Sequence, residues 1–125
     1  MKIQDVLRSA AMVKSGKATL FTYNDTKHVL IAGNCVNALA EMPDESVNLI
    51  ITDPPYNMGL NYGRYYKDNL PWNKFYENSK IWLTQVSKVL AKNGSLYIIT
   101  YPEIASRYLI YLEENCGLKL KRWLI

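Results

Sequence analysis

Residues 47–56 read Val47-Asn48-Leu49-Ile50-Ile51-Thr52-Asp53-Pro54-Pro55-Tyr56, and the fold turns on them. The first six are mostly apolar or β-branched. They lie between Pro43-Asp44-Glu45-Ser46 on one side and two prolines on the other. That is the pattern of a short strand buried in a parallel sheet. Neither Pro54 nor Pro55 has an amide hydrogen to give to a ladder, so the strand stops at Thr52. A strand that stops so abruptly delivers the next side chains, Asp53 and Tyr56, to the rim of the sheet.

Outward from this point the chain alternates between strand and helix patterns. Upstream, His28 to Ala32 is a short apolar run closed by Gly33-Asn34, and Cys35 to Glu41 predicts a short helix with Val36, Leu39 and Ala40 inward. Ile3, Val6, Leu7 and Ala10 recur at helical spacing before Gly16. Downstream, Met58 to Asn73 is rich in Gly, Tyr and Asn and reads as a long loop, a length usually associated with function. Asn78 to Lys92 predicts a helix with Trp82, Val86, Val89 and Leu90 on one face, stopped by Asn93-Gly94. Ser95 to Tyr101 predicts a third strand. Glu103 to Asn115 predicts a helix with Ile104, Tyr108, Tyr111 and Leu112 inward, and Leu118 to Ile125 a fourth strand. This order predicts an α/β fold: part of a Rossmann-like sheet, mostly parallel, with helices on both faces. One domain is expected, with residues 1–27 as an N-terminal extension and 28–125 as the catalytic portion. Because the last apolar run breaks off without a turn, the chain is expected to be part of a larger fold.

Composition narrows the class. Apolar residues make up 49% and charged residues 21%, the balance of an ordinary globular protein rather than a disordered or collagen-like one. No apolar run reaches the roughly 18–20 residues of a membrane span. Residues 1–21 carry four cations and no continuous apolar core, so they do not read as a signal peptide. Cys35 and Cys116 are isolated and lack metal-ligand spacing; reduced thiols in a cytoplasmic protein are the simplest account, and no metal is expected. The net charge of +4 is carried by residues 61–92, where six cations face only Asp68 and Glu77. The same stretch holds Tyr62, Tyr65, Tyr66, Trp72, Phe75, Tyr76 and Trp82. Cations interleaved with aromatics suit a polyanion with stackable bases, although a solvated face over core aromatics has the same composition.

In open α/β sheets, ligands bind outside the carboxyl ends of the strands, where Asp53 to Tyr56 stand. Asp53 offers a carboxylate acceptor. Pro54 has no competing N–H but keeps its carbonyl, Pro55 fixes the turn, and Tyr56 adds a flat ring. Two acceptors beside an aromatic face make a receptor for a planar base with an exocyclic amine. Such an amine is a poor nucleophile because its lone pair is delocalised into the ring. Accepting its hydrogens at Asp53 and at the Pro54 carbonyl favours a pyramidal nitrogen, while Tyr56 holds a base that has left the duplex. Positioning and hydrogen bonding then supply most of the catalysis.

With Asp53-Pro54-Pro55-Tyr56 after such a strand, the sequence resembles the amino-group DNA methyltransferases, which move a methyl group from S-adenosylmethionine to adenine N6 or cytosine N4. Gly33-Asn34-Cys35, Met42 to Val47 and Val89 to Leu96 are similar to the family's flanking segments, so the resemblance spans about residues 28–125. It implies Asp53, Pro54, Pro55 and Tyr56 as catalytic residues and Asn34 and Asp53 at the cofactor. The catalytic motif lies early in the chain and no Phe-x-Gly-x-Gly cofactor loop occurs in these residues. That resembles the permuted beta group, in which the loop comes later. An initial Asp in the motif is linked there with adenine and an initial Ser with cytosine, which makes adenine N6 the expected target. The family's usual Gly-Asp is Gly33-Asn34 here, so the cofactor adenine would meet an uncharged amide.

The resemblance further implies double-stranded DNA with a flipped base as substrate, and Tyr62, Arg64, Tyr65, Tyr66 and Lys67 are expected to contact it because their loop directly follows the catalytic turn. A missing C-terminal half or second subunit would complete the cofactor site, and the resemblance implies a methyltransferase of the restriction–modification class. Other readings of the same residues are cytosine or RNA methylation, or an inactive subunit that binds DNA or forms a homodimer through residues 61–92. His28 and Trp82 read as structural, Asn34 also as a helix cap, and Glu103 as a helix N-terminal carboxylate.

Overall fold

The computed structural model describes residues 16–64 and 66–124. The helix expected over Ile3 to Val13 lies outside them. The element order is β1 (Gly16–Tyr23), β2 (Thr26–Gly33), α1 (Cys35–Ala40), β3 (Val47–Thr52), α2 (Trp72–Val89), β4 (Leu90–Ile98) and α3 (Pro102–Cys116). Mixed α/β architecture is as expected, but the described strands form two small sheets, β1 with β2 and β3 with β4.

The strand expected near residues 28–32 is present as β2, yet it pairs antiparallel with β1 rather than joining a parallel sheet. The cause is local. Asn24 (φ 46°) and Asp25 (φ 59°) both adopt the left-handed conformation that a two-residue hairpin turn requires, and Asn and Asp tolerate it best after glycine. Residues Tyr23 and Thr26 close the turn, and the ladder runs back to Gly16 opposite Gly33. β1 escaped the sequence reading because Lys17 to Tyr23 has no clean alternation of apolar and polar residues. His28, expected to be structural, stacks its ring on Phe21 across the hairpin, with centroids 4.9 Å apart.

β3 and β4 pair in parallel, Leu49 to Thr52 opposite Ser95 to Ile98. Ile99 N donates to Thr52 O at 3.0 Å, so the two strands end side by side. The connection between them is α2, which begins six residues earlier than expected. Pro71 is its N-cap, and the following Trp72, Phe75 and Ser79 already share the helical spacing. Nor does α2 stop at Asn93-Gly94. It passes into β4 at Leu90, where the backbone turns extended. Its last carbonyls are met from outside: Glu45 N donates to Lys88 O at 3.0 Å and Ser46 N to Val89 O at 2.8 Å. Asn93-Gly94 instead lies in an irregular step of the ladder, where pairing moves from Val47–Leu90 to Leu49–Ser95. A Cβ at Gly94 would lie 3.0 Å from the carbonyl oxygens of both Asn48 and Ala91, so the step needs glycine.

α2 and α3 pack together over one face of the parallel pair. Phe75 and Leu83 from α2 and Ile104, Tyr108 and Leu112 from α3 form the buried centre, with Leu96 and Ile98 against it. Trp82 packs edge-on to Tyr108 at 5.4 Å and belongs to this core, as expected. α3 ends at Gly117, whose φ of 67° suits glycine, and Leu118 N closes back onto Leu112 O at 3.1 Å. Among the described residues, 118–124 form no strand, against expectation. Alternating side chains make a strand only where a neighbour offers a ladder, and no described element does so here. No described helix is long and apolar enough to cross a membrane.

Candidate active site

The parallel strands bring two rims together. Asp53 follows the last residue of β3, and Tyr101 stands just beyond β4 as the N-cap of α3. Pro54 and Pro55 turn the chain so that Tyr56 folds back. Its hydroxyl donates to Asp53 Oδ1, and its ring meets that of Tyr101 edge-on, with centroids 5.0 Å apart. The hydrogen bond to the Asp53 carboxylate, aided by partial burial, pushes the Tyr56 phenol up to about 12. Tyr56 is therefore neutral at physiological pH and holds the carboxylate in one orientation. Tyr101 was not singled out in the sequence; only its place at the end of a strand adjoining β3 marks it.

The loop beyond Tyr56 is built rather than irregular. Asn57 and Asp68 are buried within it. The Asp68 carboxylate accepts hydrogen bonds from the backbone amides of Asn57 (2.9 Å), Met58 (3.1 Å) and Leu60 (2.9 Å). The Asn57 side chain exchanges two hydrogen bonds with the backbone of Leu70. Farther out, Asn61 and Lys67 form an antiparallel bridge, and the rings of Tyr62 and Tyr66 meet edge-on at 6.0 Å. Tyr62, Arg64, Tyr66 and Lys67 surround a shallow cavity of about 320 Å³. Burial, with the negative charge of Asp68 behind it, raises the Tyr66 phenol. Tyr65 lies outside the described residues. Asn57 and Asp68 were missed because the sequence shows them only as a loop Asn and one of two anions in a basic stretch.

Lys80, Lys88 and Lys92 are tied on the surface to Glu77, Asp44 and Glu45. A second groove of about 230 Å³, between α2 and α3, is lined by Tyr76, Lys80, Arg107 and Tyr111 and includes none of the expected catalytic residues.

Asn34 caps α1: its Oδ1 accepts from Val36 N at 2.9 Å. The capping role is therefore filled, and a second lone pair and the amide hydrogens of Asn34 stay available. Glu103 lies in the first turn of α3, where a carboxylate faces the positive end of the helix dipole.

Residues 47–125 match the protein family described as DNA methylase, the N6/N4 methyltransferases. The chain belongs to this family. Among its relatives in the family, the Type II methyltransferase M.HpaI of Haemophilus parainfluenzae is 39% identical over 95 residues, which cover 76% of this chain and 30% of that protein. M.MjaVI of Methanocaldococcus jannaschii is 38% identical over 56 residues, 45% of this chain and 28% of the relative. M.BamHI of Bacillus amyloliquefaciens is 29% identical over 97 residues, 76% of this chain and 22% of the relative. The chain therefore spans less than a third of the length of these methyltransferases.

Proposed function

We propose that this chain is the catalytic portion of a DNA methyltransferase that methylates the exocyclic N6 of adenine, completed by a further segment or second subunit. The observation that carries the reading is the Asp53–Tyr56 pair at the carboxyl end of a parallel strand, beside Tyr101. The tyrosine hydroxyl takes Oδ1 of Asp53 and leaves Oδ2 to accept a hydrogen from the base amine, with the Pro54 carbonyl as the second acceptor. Both acceptors draw the amine out of conjugation and expose its lone pair. The rings of Tyr56 and Tyr101 form the apolar wall against which a flipped base rests.

The residues fit S-adenosylmethionine in part. Asn34 and Asp53 both follow the carboxyl ends of strands, and the remaining polar capacity of Asn34 suits an adenine amino group. When bound, the cofactor supplies the electrophilic methyl group. The family supports its use, and the Asp at the head of the motif supports adenine over cytosine. Tyr62, Arg64, Tyr66 and Lys67 supply the face for duplex DNA.

The test is complementation. The chain is mixed with a C-terminal segment of the M.HpaI relative, duplex DNA and isotopically labelled S-adenosylmethionine, and the digested DNA is read by mass spectrometry. N6-methyladenine is expected, and Asp53→Ala should reduce it by about a hundredfold or more. N4-methylcytosine would reassign the target, and no methylated base with any complementing segment would sink the catalytic reading.

A further inference from the structure

We propose that Asn57 and Asp68 are positioning residues, which hold the loop after Tyr56 as a preformed finger whose tip meets duplex DNA in fixed register with Asp53. The inference rests on the DNA reading above. Asp68 is only 3% exposed, and a buried carboxylate is unfavourable unless its lone pairs are met. Here the amides of Asn57, Met58 and Leu60 converge on its carboxylate, and a fourth amide, Gly59 N, donates to the Asp68 carbonyl at 2.6 Å. Backbone amides gathered around one anion form a nest, a rigid unit. Asn57 adds a second brace. Its left-handed backbone, φ 60°, reverses the chain directly after Tyr56. Its side chain then imitates a peptide group, donating to Leu70 O at 2.8 Å and accepting from Leu70 N at 2.7 Å.

These bonds stitch residues 57–60 to residues 68–70, and the Asn61–Lys67 bridge closes the neck above them. The exposed tip, with Tyr62 and Tyr66, lies outside the buried core around Phe75 and Leu83, whereas Leu70 at the base of the clamp packs against that core. The clamp therefore fixes the tip relative to that core through Leu70. Because Asn57 is bonded to Tyr56, it also ties the tip to the base site. A loop ordered before DNA arrives loses less entropy on binding.

The test is a double-mutant cycle on the full chain, read by fluorescence anisotropy of a labelled mixed-sequence duplex. The variants are Asp68→Ala, the tip variant Tyr62→Ala with Lys67→Ala, and their combination. Asp68→Ala should weaken binding about tenfold, as should the tip variant, and the combination should lose little more than either, because the clamp acts only through the tip. Trypsin should cut faster after Arg64 and Lys67 in Asp68→Ala, under conditions where the variant remains folded. If Asp68→Ala unfolds as a whole, Asn57→Gly carries the cycle, since glycine keeps the positive φ and deletes only the side-chain bonds. Wild-type protein that does not bind duplex DNA overturns the DNA reading and this inference together. Wild-type binding with unchanged affinity in the clamp variants, or with losses that add, overturns the inference alone.

Discussion

Two tyrosines hold their protons for different reasons, and each can be read separately. Tyr56 is raised to about 12 by its hydrogen bond to Asp53. Removing that carboxylate in Asp53→Ala should return the Tyr56 transition toward the ordinary value near 10, visible in the ultraviolet titration of the phenolate. Tyr108 is also raised to about 12, chiefly by burial, with its hydrogen bond to Ser79 opposing the shift. A phenol raised in the folded state contributes stability that is fully present below pH 10. The unfolded chain releases that proton first, so the contribution falls as pH rises from about 10 through about 12. Denaturant unfolding should therefore lose stability over this window, and Tyr108→Phe should flatten that part of the profile.

At the scale of elements, α2 carries the core. Leu83 is 1% exposed between α2 and α3, and Leu83→Ala should cost about 2–5 kcal/mol in urea unfolding. Gly94→Val should cost about 1–3 kcal/mol, because its side chain would press on two carbonyl oxygens of the ladder. These elements also divide what was legible from residues alone. β3, the span of α1 and the apolar face of α3 were legible, since each is a continuous run between turn residues, but in α1 the buried alanine is Ala38 and not the expected Ala40. The extent of α2 was not: Trp72 to Glu77 mixes aromatics with polar residues, and the helix is set by packing of Phe75 and Ser79. Nor was the partner of β2, which depends on two left-handed residues at 24 and 25. The turn at residues 53–56 was legible because prolines leave so few backbone options. The Asn57–Asp68 clamp was not, because its bonds join residues about ten apart with no period to announce them.

The molecule as a whole is covered unevenly. α2 and α3 lie over one face of the parallel pair, while Leu49, Ile51, Tyr97 and Ile99 on the opposite face remain half or more exposed. Parallel strands are normally covered on both faces. Ile51, 65% exposed, makes the sharpest probe. Ile51→Thr keeps the β-branch, so it should change stability by no more than about 0.5 kcal/mol. It should also lower binding of a hydrophobic dye and self-association measured by sedimentation. A marked loss of stability would mean that this face is already covered in the isolated chain.

The two sheets also differ in how far apart in sequence their partners lie. The hairpin closes across two residues, a microsecond event that needs nothing else. The parallel pair joins strands separated by the finger loop and the whole of α2, so its loop-closure entropy must be met before its ladder forms. Helix formation and docking shorten that search. The rim that carries Asp53 and Tyr101, which needs β3 and β4 side by side, is thus among the later parts of the chain to take shape.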